Sequence, residues 1–248
     1  MLLPMSAELL LAACMFLGAA LYSSVGHGGA SAYIALMALF GVAPVVMRPT
    51  ALVLNVIVTV FTSVRYAKAG LFRWRTLWPF LLGAVPFAFM GGAINIPGHF
   101  YKPLLGGILL ISATRMLWPE TLKKTVEWRD PPVVLGVIYG AGIGLLSGLT
   151  GTGGGIFLSP LLLFLGWSSP KPASGVVALF ILCNSAAGLL GNLASVQALP
   201  PDLPLFAGAV LAGAVLGSTL GITLATPLIL RALGIVLVIA GLKLLGIY

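Results

Sequence analysis

The stretch Ser147-Gly-Leu-Thr-Gly-Thr-Gly-Gly-Gly-Ile156 sits between two apolar runs, and so does a second stretch, Tyr22-Ser-Ser-Val-Gly-His-Gly-Gly-Ala-Ser31. Each glycine costs a helix about 1 kcal/mol relative to alanine, so both stretches should break the helices that carry them. Broken backbone between apolar runs is tolerated at membrane depth only where protein buries it or where it lines a wet cavity. A break also exposes N–H groups at the start of the next helix, where the helix dipole favours anions. The pair therefore predicts a membrane protein with two interrupted helices and a site built from backbone amides.

Composition agrees. Of 248 residues, 60% are hydrophobic and 7% charged, against about 25% charged in a soluble domain. Mean hydropathy is +1.13. The 13 Lys and Arg do not form one face for nucleic acid, because most of them cluster in short gaps between apolar runs, as topology determinants do. Cys14 and Cys183 lie inside apolar runs without metal-ligand spacing, which suits small buried hydrophobes. No basic region precedes the first run, so a cleaved signal peptide is not expected. Nothing in the pattern asks for a cofactor or a metal.

A crossing helix needs about 20 apolar residues. Runs at 6–21, 31–41, 50–64, 77–94, 103–118, 133–149, 155–166, 173–194, 203–225 and 228–247 give ten segments. Those at 31–41 and 155–166 are short, and either cross with help from the glycine stretch before them or dip in and return. The expected fold is an all-α polytopic membrane protein forming a single transmembrane domain over 1–248. A shift of 125 carries Gly26, Gly28, Gly29, Gly41, Pro79, Gly83 and Gly92 onto Gly151, Gly153, Gly154, Gly166, Pro204, Gly208 and Gly217. A constant shift of this kind marks an internal repeat. It divides the chain into repeat 1 (6–118), a cytoplasmic linker (119–132) and repeat 2 (133–247). Loop 65–75 holds Arg65, Lys68, Arg73 and Arg75, while 197–202 has no basic residue. The positive-inside rule puts these equivalent loops on opposite faces and makes the two repeats inverted. It places both termini outside, together with Arg48, Lys102 and Lys243.

Candidate ligands for a substrate are Ser23, Ser24, Gly26, His27, Gly28, Gly29 and Ser31 in the first stretch. In the second they are Thr150, Gly151, Thr152, Gly153, Gly154 and Gly155. Asn55 and Asn184, each in the helix after a short segment, either face the site or bridge helices. His27 either meets substrate and titrates with transport, near 6.5 if unperturbed, or holds the turn. Isolated glycines commonly serve only close helix packing; paired, hydroxyl-rich clusters at matched positions favour binding. No Asp, Glu, Lys or Arg lies at the centre of a segment. A site of dipoles and hydroxyls, with Arg48 and Lys171 nearer the ends, suits a small anion better than a cation.

The doubled pattern Gly26-His-Gly-Gly and Gly148-Leu-Thr-Gly-Thr-Gly-Gly-Gly, the latter followed by Pro160, resembles the TauE/SafE family of sulfite exporters. The likeness covers nearly the whole chain, including the basic loop after the third segment; His27 among the glycines is a departure. The resemblance implies a transporter of sulfite, thiosulfate or organosulfonates in the cytoplasmic (inner) membrane. A coupled proton or other ion and a homo-oligomer stay open. Two other readings remain: an anion channel, since both need a dipole-lined path, and an intramembrane hydrolase using Ser147 with His27.

Overall fold

In a computed structural model, residues 5–117, 129–193, 199–223 and 227–247 form ten helices and, among those described residues, no strand. They are α1 (Met5–Ser23), α2 (Ala30–Leu39), α3 (Pro44–Lys68), α4 (Trp74–Ala93) and α5 (Gly98–Leu117), then α6 (Val133–Thr150), α7 (Gly155–Phe164), α8 (Pro170–Gly191), α9 (Leu203–Thr223) and α10 (Pro227–Leu244). Six of them, α1, α3, α4, α6, α8 and α9, contain a stretch long and apolar enough to cross a bilayer. Their outer faces carry exposed Leu10, Leu17, Leu82, Phe89, Val134 and Ile138, as a lipid-facing surface requires. Most of the expected linker, including Lys123 and Lys124, lies outside the described residues, as does Gln197.

Each expected segment appears as a helix. The largest difference is at α3, which begins at Pro44 rather than near Thr50. The sequence Arg48-Pro49 reads as a loop because a buried charge is costly. Here Pro44 takes the first helical position, where its fixed φ suits a helix, Pro49 lies inside the helix, and Arg48 finds three carbonyl partners, described below.

The two short helices have ten residues each, about 15 Å at 1.5 Å per residue, or half a bilayer core. The first, α2, doubles back on the preceding helix. A Cβ on Gly18 of α1 would meet Ala32 Cβ of α2 at 3.4 Å, and Ser31 Oγ donates to Tyr22 Oη across the turn at 2.9 Å. Beyond α7, Trp167 reaches the ring of Tyr139 on α6 and accepts a backbone hydrogen bond from Arg129 at 3.2 Å. Hence α2 packs back on α1 as a half-length second arm, whereas α7 packs on α8 and Trp167, beyond its end, reaches α6.

The halves of the chain pack by exchange: α4 lies on α6, α1 on α9, α3 on α8 and α5 on α10. Glycine is what lets two of these pairs close. Gly136, Gly140, Gly144 and Gly148 recur every fourth residue on one face of α6, where a Cβ would strike Pro79, Phe80, Ala84 and Ala88 of α4. On α9, Gly213, Gly217 and Gly221 do the same against the backbone of Phe16 and Ala20 in α1 and of Ser24 just past its end. In lipid, helices associate through such small-residue faces, since no hydrophobic effect drives them together. The packing reading of glycine is thus correct for α6 and α9.

Candidate functional site

The glycines of the two stretches do something else. Gly29 and Gly154 occupy the same place, immediately before α2 and α7, and both have left-handed backbone, with φ of 98° and 81°. That conformation is strained for any residue with a Cβ. It lets each chain turn abruptly and start a new helix in the protein's interior.

Both new helices start against long helices beside them. Asn55, near the middle of α3, accepts a hydrogen bond from the Ala30 amide through Oδ1 at 3.0 Å. Its Nδ2 donates to Ser185 Oγ, in the last third of α8, at 3.1 Å. A Cβ on Gly28 would collide with Asn55 and lie 2.9 Å from Thr59 Cγ2. A Cβ on Gly153 would collide with Asn55 Nδ2 and lie 2.9 Å from Ser185 Oγ. The two stretches, 125 residues apart, therefore meet across one pair of side chains. Asn55, Ser185, Thr59 and Asn184 are all buried.

The helix starts retain donors. The first four amides of any α-helix lack an intrahelical partner. Asn55 takes that of Ala30, while Tyr33 bonds back to Gly29 O. The amides of Ser31 and Ala32 then have no acceptor among the described residues, and neither do those of Gly155 and Ile156. Four N–H groups at the two helix starts are thus left over, those of α2 one and two residues after the amide that Asn55 holds. Among the described residues no carboxylate joins them: Glu8, Asp130 and Asp202 all lie near helix ends or in loops, with Asp130 3.5 Å from Arg73.

Other expected ligands divide by where their hydroxyls go. Ser24 Oγ donates to Leu21 O at 2.6 Å and Thr150 Oγ1 to Leu146 O at 2.7 Å, both closing their own helix ends. Thr152 Oγ1 lies 3.0 Å from Thr150 Oγ1. Ser31 is occupied by Tyr22, and Gly26 is pressed against Ser174 of α8. Asn184 Nδ2 donates to Gly153 O at 3.3 Å, but its Oδ1 has no partner among the described residues. Ser23 Oγ and Ser147 Oγ are likewise buried and unpartnered there.

His27 is buried in the first turn. Its Nδ1 lies 3.1 Å from Val25 O, and its ring also has the Gly155 backbone within hydrogen-bonding reach. It thereby ties the first stretch to the start of α7. With two backbone partners, a neutral imidazole, which carries one N–H, donates to only one of them.

Sequence reasoning missed three tyrosines. Tyr33, Tyr66 and Tyr101 donate to Gly28 O, Ser23 O and Thr150 O at 2.8, 2.7 and 2.8 Å. Each satisfies a carbonyl freed by a helix break. Tyrosine normally gathers at the membrane–water interface; Tyr33 inside the apolar run 31–41 was the available signal. Arg48 is also buried. It donates to Gly91 O (2.7 Å), Gly92 O (2.5 Å) and Ile94 O (2.9 Å), the carbonyls ending α4. This is the favoured place for a cation on a helix dipole. Its stem covers Gly151, where a Cβ would lie 3.0 Å from Arg48 Cγ. Lys171 sits exposed at the start of α8, well away from Asn55.

The family model for sulfite exporter TauE/SafE matches residues 10–244. The chain is 40% identical over 240 residues to "Probable membrane transporter protein y4hK" of Sinorhizobium fredii (strain NBRC 101917 / NGR234), covering 95% of this chain and 97% of that protein. No solved structure matches.

Proposed function

Because the chain belongs to the TauE/SafE family of sulfite exporters, and is thus a multi-pass membrane transporter, we propose that it is a secondary carrier of a small sulfur-containing anion. Sulfite, thiosulfate or a short organosulfonate moves across the cytoplasmic membrane by alternating access around Asn55. The observation that carries this reading is the meeting of two half-length helix starts against α3 and α8. Four free amides, buried neutral polar groups and, among the described residues, no carboxylate suit an oxyanion of one or two charges and offer a cation little. His27 is the titratable group through which a coupled proton would act.

Purified protein should be stabilised against heat by sulfite or a sulfonate more than by chloride at equal ionic strength, since a ligand of the folded state raises its stability. Equal ionic strength removes general screening of the basic loops. Response to amines or cations alone would sink the assignment. In liposomes, trans-stimulated exchange of labelled sulfite supports the carrier; flux without saturation or exchange supports a channel.

The two halves are inverted repeats in this reading. The constant shift of 125, the paired ten-residue helices and the exchanged packing of α4 on α6 and α1 on α9 support it. Lys243 Nζ also caps α2 through Leu39 O at 2.6 Å, as two groups on the same outer side should. In a background without Cys14 and Cys183, Ala69→Cys and Pro201→Cys should react with an impermeant thiol reagent from opposite sides. Labelling of both from one side would remove the inversion.

A further inference from the structure

Asn55 is one member of a polar row. Thr59, Thr62, Ser63 and Tyr66 follow it on α3 at spacings of four, three, one and three residues. At 3.6 residues per turn all five fall within one sector about 100° wide. From Asn55 to Tyr66 the row runs about 16 Å, half a bilayer core, and ends beside Arg65 and Lys68. All five side chains are buried: Asn55, Thr59 and Thr62 have no exposed surface, and Ser63 is 8% exposed.

Two members make no hydrogen bond through their hydroxyls among the described residues. Thr59 Oγ1 donates to Asn55 O at 2.6 Å, and Tyr66 Oη to Ser23 O at 2.7 Å. Thr62 Oγ1 and Ser63 Oγ find no partner among the described residues, and neither does Ser23 Oγ, on the α1 residue that Tyr66 holds. A buried hydroxyl without a partner destabilises the protein that carries it. Valine and alanine would fill the same space in a lipid-embedded helix at no such cost.

We propose that this row is the path by which the anion passes between the Asn55 site and the arginine-bearing face, and that the Tyr66–Ser23 hydrogen bond closes it. The inference rests on the carrier reading and adds its route. Thr62, Ser63 and Ser23 supply hydroxyl donors to a passing oxyanion in place of water, and no charged side chain holds it long enough to trap it. Opening requires Tyr66 to release Ser23, which separates α3 from α1 at that end.

The test is the double variant Thr62→Val/Ser63→Ala, with Thr114→Val, whose hydroxyl is exposed on α5, as the control. Two quantities are read: melting temperature with and without sulfite, and labelled-sulfite exchange in liposomes. The expected result is a melting temperature equal to or above that of the wild type, an unchanged stabilisation by sulfite, and exchange at least 10-fold slower. Thr114→Val should exchange at the wild-type rate. Wild-type exchange in the double variant overturns the route and leaves the carrier reading intact. A lowered melting temperature assigns the hydroxyls to structure and also overturns it. Wild-type protein that neither binds nor exchanges any sulfur oxyanion overturns the carrier reading and the route with it.

Discussion

Gly153→Val should cut sulfite exchange at least 100-fold while the protein still reaches the membrane. The added Cβ collides with Asn55 Nδ2 and comes within 2.9 Å of Ile181 Cγ2 and Ser185 Oγ. It occupies the space where the two helix starts face each other, so the four free amides lose access to an anion. A hundredfold loss is about 2.8 kcal/mol, the size expected when one or two charge-assisted hydrogen bonds go. The substitution also forces a side chain onto backbone at φ +76°, a strain of about 1–2 kcal/mol by itself. Gly41→Val separates the two effects. Gly41 has the same φ of +76°, but nothing lies within 4 Å of its Cβ position. It should show comparable strain in a thermal melt with exchange near the wild-type rate. Equal loss in both variants would mean that backbone strain, not occupation of the site, stops transport. Normal exchange in Gly153→Val would move the site elsewhere.

How much of this was legible beforehand depended on distance along the chain. The helices were legible because a bilayer demands long apolar runs, and the runs are there. The start of α3 was not, because Arg48 reads as a helix boundary until Gly91, Gly92 and Ile94 are brought to it across 43 to 46 positions. The breaks were legible as glycine clusters with hydroxyls. Whether α2 and α7 cross or return was not; a run of eleven or twelve residues fits both, and for α2 it takes the Gly18–Ala32 approach to show the return along α1. The period of four in Gly136, Gly140, Gly144 and Gly148 is visible in the sequence, but its partner helix is not. Asn55 could be named as a candidate. That it bridges the first stretch to Ser185, 130 residues away, and sits against Gly153 is a tertiary fact with no local signature. Several expected hydroxyl donors serve their own helix ends instead, for the same reason: Ser and Thr beside a break bond the nearest free carbonyl first.

Asn55→Asp should abolish anion exchange with little loss of fold. The aspartate is nearly isosteric and keeps an oxygen for the Ala30 amide, 3.0 Å away in the parent. A carboxylate at the start of α2 also suits the helix dipole. Ser185 Oγ can turn from acceptor to donor, so the bridge to α8 persists. What changes is the charge met by the substrate. Two unit charges 4 Å apart repel by about 4 kcal/mol at an effective dielectric of 20, which is about 10³ in affinity. The loss should be greatest at high pH, where the carboxyl is ionised. It should ease as pH falls through that group's own pKa, because the protonated acid is neutral like the parent amide. Asn55→Ala provides the contrast. It leaves the Ala30 N–H without a partner and should lower stability by about 1–3 kcal/mol, with a transport loss that carries no such pH dependence. Sulfite exchange and thermal melts from pH 5 to 8 on both variants decide the matter. If aspartate and alanine cost the same at every pH, Asn55 is a helix bridge only. If aspartate exchanges sulfite at the wild-type rate throughout, the anion does not pass Asn55.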